Sequence, residues 1–135
     1  MNFEYQIRVR YAETDQMGFV YYGNYAQYFE VGRVEFLHTK GYSYKSLEDE
    51  GIMMPVAEMN IKYKRPAVYD NLLTIKTSIN TLDKKRVTFN QSIYNENNKL
   101  LTEGTVELAF LDSKNMKSIE CPEKLFNILK TITNV

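Results

Sequence analysis

The residues best suited to chemistry lie in one run, Tyr11-Ala12-Glu13-Thr14-Asp15-Gln16-Met17-Gly18-Phe19-Val20-Tyr21-Tyr22-Gly23-Asn24-Tyr25. An alternating stretch ends there, a carboxylate follows, a glycine permits a tight path, and a helical pattern begins. A helix N-terminus carries unpaired N–H groups and partial positive charge. It can polarise a carbonyl oxygen as that oxygen gains negative charge. With Asp15 facing the same point, an electrophile activator meets a base or nucleophile without His, Cys or metal. A thioester suits such a site, because its carbonyl is more activated than an amide's. The same spacing fits an Asx turn in which Asp15 only caps the loop. Both readings stand at this level.

Composition narrows the field. The chain has 135 residues, 17 Lys and Arg against 17 Asp and Glu, one His and one Cys. That length predicts one domain over residues 1–135, large enough to need no staple. One Cys cannot form an internal disulfide, and one Cys with one His cannot supply a four-ligand zinc site. A His-based triad would have to use His38. Zero net charge argues against a nucleic-acid binder. The N-terminus has no basic start followed by an apolar run, and nowhere do about 20 apolar residues run together. A soluble, cytoplasmic protein is expected.

These residues must be positioned by ordered elements. Phe3 to Tyr11 alternates as a strand, and Asn24 to Lys40 carries Tyr25, Tyr28, Phe29, Gly32, Phe36 and Leu37 at helical steps. Asn24 is the expected N-cap and Gly41 the left-handed stop. Ser43 to Glu50 reads as a short helix. Met54 to Lys64, Leu72 to Leu82, Arg86 to Tyr94 and Leu100 to Leu111 read as strands, the last three as an antiparallel meander. A final helix opens at Pro122-Glu123. The fold class is α+β, one long helix laid across an antiparallel sheet. Exposed edge strands favour a dimer that continues the sheet.

The run Asp15 to Tyr25 resembles the signature of hotdog-fold acyl-CoA thioesterases of the 4-hydroxybenzoyl-CoA thioesterase type. A second match is Tyr63-Lys64-Arg65-Pro66-Ala67-Val68-Tyr69-Asp70, similar to that family's turn ahead of an acidic residue and a strand; Arg33-x-Glu35-x-Leu37 is a third. The resemblance implies an antiparallel sheet wrapped around the long helix, and acyl-CoA hydrolysis with no cofactor, coenzyme A being part of the substrate. Asp15 matches the catalytic carboxylate and Tyr22 the position whose backbone N–H polarises the carbonyl. Gly18 shapes the loop, and Asn24 and Tyr25 set the helix start. A homodimer or homotetramer fits the family. Acyl carrier protein conjugates are an alternative substrate, and a non-catalytic acyl-CoA-binding module an alternative function.

The remaining candidates have plainer readings. Lys62, Lys64 and Arg65, or the hairpin cluster Lys84, Lys85 and Arg86, could hold coenzyme A phosphates. Arg33 and Glu35 are expected to form a structural or interface pair, Glu13 to be a solvated or hydrogen-bonded neighbour of Asp15, and His38 to face the helix's terminal carbonyls. Cys121 is expected to pack. Met17, Phe19, Val20, Met53, Met54 and Met59 are candidates for an acyl pocket or for ordinary core.

Overall fold

The computed structural model describes residues 2–133. Strand β1 (Phe3–Arg8) leads through a 3-10 turn (Tyr11–Glu13) and a loop to helix α1 (Asn24–Thr39). A short helix α2 (Tyr44–Asp49) follows, then β2 (Ile52–Met53), β3 (Val56–Tyr63), β4 (Leu72–Leu82), β5 (Arg86–Tyr94), β6 (Leu100–Ala109), β7 (Leu111–Asp112) and helix α3 (Glu123–Lys130). Five strands form one antiparallel sheet in the order β1-β4-β5-β6-β3, and β2 pairs with β7. The expected meander is β4-β5-β6. Strand β3 precedes it in the chain but crosses to the far edge, beside β6.

One sheet face is apolar because the alternation places Leu73 and Ile75 of β4, Val87, Phe89 and Ile93 of β5, and Val106 and Leu108 of β6 inward, all buried. Each such side chain contributes roughly 1.5–3 kcal/mol of burial. Helix α1 covers that face with Tyr25, Tyr28, Phe29, Gly32, Phe36 and Leu37, the stripe its spacing predicted. Its contact with the sheet is close at Gly32, where a Cβ would stand 2.6 Å from Thr77 Oγ1 and 2.9 Å from Ile75 Cγ2. Only a hydrogen fits. The helix stops as expected: Gly41 adopts φ +75°, its N–H donates to His38 O, and the Tyr42 N–H donates to Leu37 O.

Several local expectations need correction. The N-cap is Gly23, and the Asn24 side chain instead donates to Glu13 O at 2.8 Å. Arg33 does not pair with Glu35, since residues two apart lie on different helix faces. Arg33 is buried and donates to Gln91 Oε1 at 2.9 Å, while Glu35 lies 3.5 Å from His38 Nδ1. The first strand ends at Arg8, leaving Val9 buried and Tyr11 exposed. No helix of the described residues is long and apolar enough to cross a membrane.

Candidate active site

The loop between β1 and α1 is folded by its own backbone. The Asp15 N–H donates to Phe19 O at 2.8 Å and the Gly18 N–H to Asp15 O at 2.9 Å. Gly18 closes this turn at φ +81°, a conformation that costs other residues roughly 1–2 kcal/mol. Phe19 bridges Val68, and the Val20 N–H donates to Ala67 O at 2.9 Å. The loop is therefore stitched to the segment entering β4.

Asp15 is half-buried. Its Oδ1 accepts from the Met17 N–H at 2.9 Å and, more weakly, from the Phe19 N–H at 3.4 Å. This is the Asx turn that the spacing allowed. It occupies one oxygen only: among the described residues no donor reaches Oδ2. The capping role and a chemical role are thus compatible in one carboxylate.

The start of α1 supplies the opposite partner. The Asn24 N–H donates to Tyr21 O and the Tyr25 N–H to Tyr22 O, so the helical path begins ahead of Gly23. The unpaired donors move back accordingly. Among the described residues, no acceptor takes the N–H of Tyr22 or of Gly23. Tyr22 itself is exposed, its ring tilted against that of Tyr21 at 4.6 Å.

Asp15 and Tyr22 line one cleft of ≈ 300 Å³ with Phe19, Tyr25, Tyr63, Lys64 and Arg65. The walls are mostly apolar and the cations stand at the end of β3. Lys64 and Arg65 are held by their backbones, both N–H groups donating to Leu101 O at 2.8 and 3.0 Å. Lys64 Nζ also lies 3.6 Å from Glu103. Tyr25 is buried against the floor: its hydroxyl accepts from the Ala67 N–H at 3.1 Å, and burial raises its pKa.

Of the two alternatives for Glu13, solvated or hydrogen-bonded, the structure shows the second. It is buried, with Oε1 accepting from the Arg10 N–H at 2.8 Å and from the Tyr28 hydroxyl at 2.9 Å. Oε2 accepts from Arg10 Nη2 at 3.2 Å. Burial pushes this carboxyl up. The Arg10 amide, the Tyr28 hydroxyl and the Arg10 guanidinium outweigh that and hold it below its ordinary value. Burial and the Glu13 carboxylate both raise the Tyr28 phenol.

The predicted residues thus separate. Asp15, Tyr22, Tyr25, Lys64 and Arg65 share the cleft, Gly18 shapes its loop, and Asn24 ties the helix start to Glu13. Lys85 and Arg86 lie elsewhere, beyond the far end of β4, an 11-residue strand that spans about 33 Å. Met17, Phe19 and Val20 line the cleft, whereas Met53 and Met54 line a separate apolar depression with Leu47 and Ile52, and Met59 packs on the core. Tyr63 and Tyr28 carried no functional signal in the sequence. Tyr63 lay in a motif read for fold, and Tyr28 in a core stripe. Among the described residues, no three His, Cys, Asp or Glu side chains gather as metal ligands would.

Comparison with known proteins agrees with this architecture. Residues 9–129 match the thioesterase-like superfamily. A putative acyl-CoA thioesterase, YneP of Bacillus subtilis, is 36% identical over 115 residues, 85% of this chain and 83% of that protein. The acyl-CoA thioester hydrolase YbgC of Escherichia coli is 32% identical over 123 residues, covering 91% and 92%. The crystal structure of a DHNA-CoA thioesterase from Staphylococcus aureus superposes with a TM-score of 0.91 at 32% identity, covering 97% of this chain and 90% of that one. With a sheet wrapped on one long helix and this match along most of its length, the chain belongs to the thioesterase-like superfamily.

Proposed function

We propose that the protein hydrolyses acyl-CoA thioesters to the free acid and coenzyme A, with Asp15 as nucleophile or general base. The observation that carries this reading is the convergence of a carboxylate with one unengaged oxygen and a helix start with unengaged N–H groups on one apolar cleft. The acyl group and thioester lie against Phe19, Tyr25 and Tyr63. The carbonyl oxygen points to the Tyr22 N–H, which stabilises the charge that develops as the carbon becomes tetrahedral. Lys64 and Arg65 attract the phosphates of the coenzyme A arm. The names of the relatives from Bacillus subtilis and Escherichia coli support the same chemistry.

Two routes use the free Oδ2. As nucleophile, it forms a C–O bond to the acyl carbon, the C–S bond breaks, the thiolate takes a proton, and water hydrolyses the mixed anhydride. As base, it takes a proton from water while the water oxygen attacks, and returns that proton to the departing thiolate. Single turnover in heavy-oxygen water tests the first route, since label appears in Asp15 only when water attacks the Asp15 carbonyl of an anhydride.

Thiol release measured over a panel of acyl-CoAs tests the reading as a whole. Turnover with saturation is expected. Binding of acyl-CoA without thiol release would overturn hydrolysis in favour of a binding module, and release from acyl carrier protein conjugates alone would change the carrier. We further propose a homodimer or homotetramer. Edge strand β3 supports it, exposing Val56 and Tyr63 with no strand beyond among the described residues. Cytoplasmic residence belongs to the same reading.

A further inference from the structure

We infer that Glu13 is the positioning residue of the site, a buried carboxylate clasp that fixes Asp15 relative to the Tyr22 N–H. The inference rests on the proposed hydrolysis but concerns a residue that touches neither acyl group nor thiol. Three observations carry it. Through its carboxylate, Glu13 joins Arg10, the cap of the 3-10 turn that follows β1, to the second turn of α1 (Tyr28). Through its carbonyl oxygen, the same residue accepts from the Tyr21 N–H at 2.9 Å and the Asn24 side chain at 2.8 Å. In sequence it stands two residues before Asp15, and the residue it grips, Tyr21, immediately precedes the donor Tyr22.

One residue therefore holds both halves of the site. The Asp15 turn is rigid in itself, because the bonds from Met17, Phe19 and Gly18 are internal to it. What those bonds cannot set is where the turn sits relative to the helix. Glu13 supplies that, and its surroundings explain why a carboxylate is used. Oε1 takes two donors and Oε2 a third, so both oxygens are engaged. A glutamine can satisfy Oε1 but turns an N–H₂ group toward the Arg10 guanidinium. The clasp then opens on one side without creating a cavity.

Misplacement of reacting groups by about 1 Å costs on the order of 100-fold in rate. Glu13→Gln is accordingly expected to lower kcat by about 10- to 100-fold with KM within about twofold. Tyr28→Phe, which keeps the ring in the core, is expected to lower kcat by about 3- to 10-fold in the same pattern. Both are expected to speed amide hydrogen exchange at Tyr21, whose N–H is bonded to Glu13, while the β5 amides stay protected. Wild-type kcat with unchanged exchange in folded Glu13→Gln and Tyr28→Phe overturns the clasp. A rise in KM with kcat intact overturns it too, since that marks a binding role. If the wild type releases no thiol from any acyl-CoA while both variants still loosen Tyr21, the clasp stands and the hydrolytic reading falls.

Discussion

The two ends of β4 carry nearly the same local chemistry in different surroundings. Asp15 Oδ1 accepts from the N–H of Met17 and Phe19; Asp83 Oδ1 accepts from the N–H of Lys85 and Arg86 at 2.7 and 2.9 Å. Each end has a basic cluster, the doublet Lys64-Arg65 at one and, after Lys84, the doublet Lys85-Arg86 at the other. At the far end the doublet rides on the hairpin tip itself, and Arg86 spends its charge on Glu107 at 3.4 Å. Near Asp15 the doublet comes from a different strand and meets the carboxylate across a cleft. An Asx turn is thus neutral as to function. What distinguishes the first is a helix start with unused donors beside it.

The largest expected effect falls on the first turn alone. Asp15→Asn should lower kcat by about 10²- to 10⁴-fold, as expected for a lost acid–base or nucleophilic group, while thermal melting stays close to wild type. Asp83→Asn should leave kcat within about twofold. Equal losses at the two positions would erase the distinction between the turns.

The doublets give the next contrast. Lys64→Ala and Arg65→Ala should each raise KM for an acyl-CoA by about 2- to 5-fold, a value suited to exposed charge pairs, and the effect should shrink at high salt. Lys85→Ala and Arg86→Ala should leave KM unchanged. An increase in KM confined to the second pair would move the phosphate site to the hairpin.

Gly18→Ala sharpens the comparison at the level of backbone. Nothing lies within 4 Å of the added methyl, so its cost of about 1 kcal/mol comes from the positive φ alone. Urea denaturation measures it.

Smaller still is a pH effect. Folding lowers the Glu13 pKa from its ordinary 4.5. Below about pH 5 the unfolded chain therefore binds more protons than the folded one. The stability Glu13 contributes is full above that range and is lost as pH falls through the lowered folded value. Urea midpoints between pH 6 and pH 3 should drop more steeply in wild type than in Glu13→Gln.

Much of this was legible in the sequence because periodicity reports burial. The stripe from Tyr25 to Leu37 faces the sheet as its spacing requires, and the Asp15 run forms a loop before a helix start. Three features escaped. Asn24 was read as a cap from residue type, yet Gly23 already adopts helical angles and leaves Asn24 inside the first turn. Arg33 was paired with Glu35 by charge, although its partner Gln91 is distant in sequence. Tyr28 looked apolar by position, and only the fold places its hydroxyl beside Glu13. Long-range polar partners carry no period, so a single sequence does not announce them.

Gly32 gives the molecule a fulcrum. The helix rests on Thr77 and Ile75 at the one position lacking a side chain. Tyr22 lies ten residues away, about 15 Å along the axis. A methyl group at Gly32 would meet Thr77, Ile75 and Gln91 side-chain atoms at 2.6 to 3.0 Å, so either they or the helix must give way. The separation of helix and sheet here is the thickness of a hydrogen atom.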